Sequence, residues 1–219
     1  MITVYGVVRS RASRPIWLLY ELGLPFTHVP VIQAYRLERA SAPDAPLNTN
    51  SPEFLRVNPL GQVPAYVEGD LTLTESLAIT NHIARTRGGA IGPQTPAEAA
   101  LIDQWTLFAV TAVENSAIEI TYVLRDGGEA TPEGQAAIAI AAEKLRRPLR
   151  RLQAHLATHS HLVSDRFTVA DLNLAECLRY AQDHPTLIAE FPAVKTWLES
   201  CQSRPAFRQM WAARMAEPA

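Results

Sequence analysis

The chain has 219 residues, 47% of them apolar and 19% charged, with a formal net charge of −2. That length suits two ordinary domains better than one, and the composition excludes a disordered or fibrous chain. A charge so near zero excludes a global field that would select nucleic acid or an anionic membrane. Arg9, Arg11 and Arg14 are a local exception, and exposed arginines in such a run are heavily screened.

Residues 2–5, Ile-Thr-Val-Tyr, predict a short strand of β-branched and aromatic residues. Since this is already a strand pattern, no charged segment leading into an apolar one is expected there. Residues 15–22 predict a helix with apolar Ile16, Leu18, Leu19 and Leu22, and Gly23 stands where a C-terminal cap belongs. A second strand is expected over 26–32, interrupted by Pro30. Residues 34–50, rich in Ala, Pro, Asp and Asn, read as an irregular excursion. Two short strands follow at 63–67 and 71–73, joined by Glu68-Gly69-Asp70, which has hairpin chemistry. Helix returns over 74–85.

Residues 86–96 are dense in Gly and Pro and predict a linker. Beyond it no strand pattern occurs, and 97–124, 132–157, 168–182 and 191–202 carry helical periodicity. Thr168-Val-Ala-Asp171 is a capping-box variant with Asp in place of Glu, and Phe167 and Leu172 are placed for the hydrophobic staple. That assigns Asp171 a structural role. The predicted organisation is an α/β domain over 1–85, a linker over 86–96 and an all-α domain over 97–219. Cys177 and Cys201 fall in helical patterns and are expected as buried thiols rather than a disulfide. No apolar run is expected to reach the length of a membrane span, so the expected setting is cytoplasmic, away from membranes. His155, His159 and His161 are close in sequence but have no acidic or thiolate neighbour to complete a metal site, so no metal is expected.

Five stretches carry a resemblance. They are Ser10-Arg-Ala-Ser-Arg14, Asn58-Pro-Leu-Gly-Gln-Val-Pro64, Leu73-Thr-Glu-Ser-Leu-Ala-Ile79, Phe167-Thr-Val-Ala-Asp-Leu172 and Ser203-Arg-Pro-Ala-Phe207. In order and spacing the chain resembles the cytosolic glutathione transferase family, in which a thioredoxin-like domain is followed by a helical-bundle domain. The resemblance implies glutathione as co-substrate, with a small hydrophobic electrophile as its partner, and a homodimer.

The resemblance also implies roles for individual residues. The bond before Pro64 is cis in the family, and Val63 then offers its backbone to the cysteinyl part of glutathione as an added strand. Read from this sequence alone, an edge-strand proline is the alternative. Glu75 and Ser76 open a helix, where free N–H groups and the positive dipole end attract a carboxylate. Together they would bind the γ-glutamyl zwitterion, though Glu75 could merely complement its own helix. Gln62 resembles the position that approaches the glycyl end. Trp105, Phe108, Ala109 and Val113, helically spaced, are candidates for the second-substrate site between the domains, with a core stripe as the alternative.

Of the family's two catalytic styles, Ser10 matches the serine style of theta-like and zeta-like members. The tyrosine style would place its tyrosine near Gly6, and Tyr5 reads as strand core. Ser13 as the helix cap would put Pro15 in the first turn, where it is tolerated, and would leave Ser10 uncommitted. A loop serine bonded to backbone is the alternative. A thiol has a pKa of about 8.5, so most of it stays protonated at neutral pH, and lowering that by about 2 units takes roughly 2.7 kcal/mol. No cysteine precedes the first helix, which disfavours protein-thiol redox chemistry but not peroxide or disulfide reduction through glutathione itself. Two rivals remain: a non-catalytic scaffold of the same fold, and a glutathione-dependent isomerase, whose usual cysteine and tryptophan are missing from this loop.

Overall fold

The computed structural model describes residues 1–217. The chain forms two compact units, one made of Met1–Arg87 together with the chain from Arg204 onward, the other of Gly88–Ser203.

The first unit is built on a four-stranded sheet, β1 (Ile2–Tyr5), β2 (Phe26–Val29), β3 (Ala65–Glu68) and β4 (Leu71–Leu73), in the order β2-β1-β3-β4. β1 pairs parallel with β2 and antiparallel with β3. The parallel pair needs a crossover, and α1 (Ser13–Glu21) supplies it. β2 is shorter than the expected 26–32, because Pro30 has no N–H to give the ladder. Between β2 and β3 lie a 3₁₀ turn (Ala34–Arg36) and α2 (Pro52–Leu55), a single turn the sequence did not announce. Buried Asn48 stitches the excursion, donating to the carbonyls of Ala40 (3.0 Å) and Pro46 (2.9 Å) and accepting from Asn50 N–H. α3 (Ser76–Arg87) follows β4.

In the second unit α4 (Pro96–Phe108), a π-helical segment (Ala109–Glu114) and α5 (Asn115–Arg125) run on as a single helix. Thr95 caps it by accepting Glu98 N–H at 3.1 Å. Contrary to the sequence expectation, this helix, Pro96–Arg125, is long and apolar enough to cross a membrane by length and composition. Part of its apolar stretch is buried where it packs in a bundle with α6 (Pro132–Leu156) and α7 (Val169–Leu178), while Leu101, Leu107 and Val110 stay exposed. α8 (Pro192–Ser203) completes the unit. All ten residues of α7 are buried.

The predicted box at the start of α7 is present. Asp171 Oδ2 accepts Thr168 N–H (2.9 Å) and the Thr168 hydroxyl (3.1 Å), and Oδ1 accepts Leu162 N–H (3.0 Å) and the Trp197 indole N–H (2.9 Å). Burial pushes the Asp171 carboxyl above the usual aspartate range, against the pull of these donors. Both cysteines are buried outside any disulfide, and the Cys177 thiol donates to Glu114 Oε2 at 3.5 Å.

The last helix, α9 (Pro205–Ala216), had no predicted counterpart. Its buried stripe is only Ala206, Phe207 and Met210, too narrow to show as a period. α9 packs along α1, with Phe207 set edge-on against buried Trp17 at 4.9 Å between centroids. Arg204 forks onto Glu21 with bonds of 2.7 and 2.8 Å. These contacts group α9 with the sheet, whereas the sequence reading placed all of 97–219 in one helical domain.

Candidate functional site

The ends of β1 and β3 bring two of the predicted stretches side by side. Tyr5 pairs with Ala65, so the chain leaves β1 at Gly6 where Val63-Pro64 enters β3. The Val63–Pro64 bond is cis. Neither the N–H nor the C=O of Val63 bonds another described residue. Gly6 has φ 128°, and a Cβ built there would meet Val63 Cβ at 3.0 Å and Ala12 Cβ at 3.1 Å. Gly6→Ala is therefore expected to combine backbone strain of about 1–3 kcal/mol with a displaced Val63. Thermal denaturation and glutathione titration should both register it, as a lower Tm and weaker binding. Tyr5 packs with Val31, Phe54 and Ala65 in a core cluster, as its strand-core reading requires.

The loop from Gly6 to Ala12 is anchored to β2 and the segment after it by Gly6 N–H to Val29 O (2.9 Å) and Val7 N–H to Val31 O (3.2 Å). His28 Nε2 donates to Gly6 O at 2.7 Å. Ser10 is buried and is not uncommitted, contrary to the sequence reading. Its hydroxyl donates to Val7 O at 2.6 Å and accepts Ala12 N–H at 3.0 Å. The helix also begins one step differently: Ala12 holds the cap position, without a side-chain bond, and Ser13 is the first helical residue. Pro15 still falls in the first turn, but the Ser10 side chain is drawn into closing the turn that leads there.

Arg14 is set apart from the rest of the arginine run. It is 1% exposed, and its Nη1 donates to Ser76 Oγ at 2.9 Å. A guanidinium stays charged wherever it is placed, so Arg14 is a fixed positive charge joining the start of α1 to the start of α3. Ser76 is buried there. Glu75 is exposed, its C=O accepts the first helical bond from Ile79 N–H (2.9 Å), and its φ is 65°. A non-glycine residue in that region costs about 1–3 kcal/mol and is held only where its surroundings impose it. The Glu75 carboxylate bonds no described residue.

Asn58, quoted in a motif without a role, shapes the turn before Val63. It is buried, donates to Gln62 O at 2.7 Å and accepts Leu60 N–H at 3.2 Å, leaving the Gln62 side chain exposed.

The helical candidates divide. Trp105, Ala109 and Val113 are buried, the core-stripe alternative, while Phe108 is part exposed. An open cleft of about 430 Å³ is lined by Trp105, Arg151, Ala154 and His155, with the Arg151 guanidinium 5.3 Å from the Trp105 ring centroid. His155 and His159 stack at 4.4 Å, and His155 Nε2 bonds His161 O. Among the described residues no group of three or more His, Cys, Asp or Glu side chains could hold a metal ion.

Residues 1–85 match the family model described as glutathione S-transferase, N-terminal domain, and residues 109–205 match glutathione S-transferase, C-terminal domain. The chain is 34% identical to glutathione S-transferase 3 of Zea mays over 96% of its own length and 93% of that protein's. Its structure is similar to glutathione transferase F7 from Populus trichocarpa, with a TM-score of 0.82, 31% identity and coverage of 98% and 99% of the two chains. It is also similar to the theta class glutathione S-transferase from Xanthomonas axonopodis pv. citri with glutathione bound, with a TM-score of 0.79, 28% identity and coverage of 95% of each chain.

Proposed function

The chain belongs to the glutathione S-transferase family and is a glutathione transferase; from that premise we propose that it is a serine-type member in which Ser10 stabilises the glutathione thiolate. Gln62, Val63, Pro64, Glu75 and Ser76 then hold the tripeptide. The observation that carries this reading is the continuity of the three predicted stretches. Gly6 brings the serine loop against Val63, and Arg14 ties the start of α1 to Ser76.

The chemistry follows from these positions. An extended cysteinyl backbone pairs with the open N–H and C=O of Val63. The glutamyl carboxylate meets the free N–H groups at the start of α3 beside the Arg14–Ser76 pair, and its ammonium meets the unbonded Glu75 carboxylate. The sulfur falls to Ser10, at the positive end of α1. The nucleophile belongs to glutathione, and the protein's task is to stabilise its anion. The activated sulfur attacks an electrophilic small molecule or reduces a peroxide or disulfide. Phe108, part exposed, and Trp105, which lines the open cleft, are the members of the predicted helical stripe with surface to offer a second substrate. The Zea mays and Populus trichocarpa relatives are more similar in sequence than the theta-class protein. The serine chemistry is therefore proposed without a place in the theta-like or zeta-like branch. A cytoplasmic homodimer belongs to the same proposal.

Calorimetry with glutathione tests it directly. Binding is expected, and none at millimolar ligand would favour the scaffold alternative. Within the site, Glu75→Ala should raise KM for glutathione about two- to fivefold, the value of roughly 0.4–1 kcal/mol for an exposed ion pair. The kcat should stay nearly unchanged, and a loss confined to kcat would contradict the binding role.

A further inference from the structure

The loop that carries Ser10 has a second support, far away in sequence. After α9 the chain turns extended at Glu217, and its carboxylate accepts two successive main-chain N–H groups, Val8 N–H at 2.7 Å and Arg9 N–H at 2.8 Å. Bonds of this kind, from donors to an ionised acceptor, are the strong ones. Two further bonds run beside them. Arg9 Nε donates to Arg214 O at 3.0 Å, and Arg214 Nη1 donates to Val8 O at 2.9 Å.

The register that brings these groups together is set along the whole of α9. Arg204 forks onto Glu21 at one end of α1, Phe207 meets Trp17 in the middle, and Arg214 and Glu217 reach the loop before the other end. On one side the loop is anchored at Gly6 and Val7, and on the other at Ala12, where α1 begins. Val8 and Arg9 lie between these anchors, directly before Ser10, and Glu217 satisfies both of their N–H groups.

We infer that Glu217 is a positioning residue for the proposed thiolate-stabilising group: by gripping Val8 and Arg9 it fixes where the Ser10 hydroxyl sits. This rests on the reading of Ser10 given above. The grip and the charge of Glu217 have opposite signs of effect. A loosened loop weakens the bond from Ser10 to the sulfur and raises the pKa of the bound glutathione thiol, whereas removing a nearby negative charge would lower it.

The test is the pH profile of kcat, which reports groups in the enzyme–substrate complex, for the wild type, Glu217→Ala, Glu217→Gln, Ser10→Ala and the double variant. Glu217→Ala is expected to raise the pKa of the bound glutathione thiol by about half to one unit, leaving roughly three- to tenfold less thiolate at neutral pH. Glu217→Gln keeps an acceptor oxygen at the same reach and should recover part of the loss. The double variant should be no worse than Ser10→Ala alone, because both changes act on one hydroxyl. Amide exchange at Val8 and Arg9 should quicken in Glu217→Ala with Tm little changed. If Ser10→Ala shifts the profile while Glu217→Ala leaves it in place, lowers it or adds independently, the positioning role is overturned and Ser10 stands. If Ser10→Ala itself shifts nothing, the Ser10 assignment falls and takes this role with it.

Discussion

Ser10→Ala is expected to lower kcat/KM with a model electrophile by roughly 2- to 30-fold, with glutathione binding little affected. The structure sets that range. A hydrogen bond to a charged group contributes about 1.5–3 kcal/mol, but a neutral one contributes about 1 kcal/mol. The single hydroxyl hydrogen of Ser10 sits on Val7 O, so turning it to a sulfur gives that bond up. The net gain is about 0.5–2 kcal/mol, and each 1.4 kcal/mol is tenfold. The start of α1 adds about 0.3–1 kcal/mol that the substitution leaves in place. The same variant should raise the thiol pKa of bound glutathione, read from the pH profile of kcat. An unchanged turnover and profile would remove Ser10 from the chemistry.

Asp171→Ala should be the most damaging single change to stability, at about 3–5 kcal/mol. Its side chain is fully buried and accepts four bonds that fasten the start of α7 to Leu162 and to Trp197 on α8. Deleting it leaves buried N–H groups unsatisfied at about 1–3 kcal/mol each, partly relieved by relaxation, and removes the third-position half of the capping box whose cap is Thr168. Chemical denaturation measures the loss, and a change under 1 kcal/mol would mean the start of α7 holds without the box. Asp171→Asn keeps one acceptor oxygen and should fall between.

Local signals carried most of the fold. The β-α-β then β-β-α order, the change to helix after residue 96 and the box at Thr168 each depend on neighbours in sequence, and each is found in the structure. The candidate residues Ser10, Val63 and Glu75 came from the family resemblance of their motifs, not from a local pattern. What sequence could not show is where a side chain goes when two distant segments meet. Arg14 read only as one of a run of three arginines with no role assigned, yet it is buried against Ser76, sixty-two positions away. Ser10 read as uncommitted, yet its hydroxyl closes a turn with Val7 and Ala12. Glu217 carried no pattern at all, because its meaning lies only in the two N–H groups it reaches. α9 was missed for a related reason: a helix that buries a narrow stripe against one partner helix leaves little periodicity to read.

The packing of α9 on α1 also bears on how the chain acquires its structure during synthesis. The sheet unit is interrupted in sequence by the whole of Gly88–Ser203. When residues 1–87 have left the ribosome, Trp17 still lacks Phe207 and Glu21 still lacks Arg204. At about 5–20 residues per second, those partners arrive roughly 6–25 s later. Through that interval the N-terminal half-domain waits with an open apolar face on α1, so the helical unit is the first part of the molecule able to finish folding, although it is translated second.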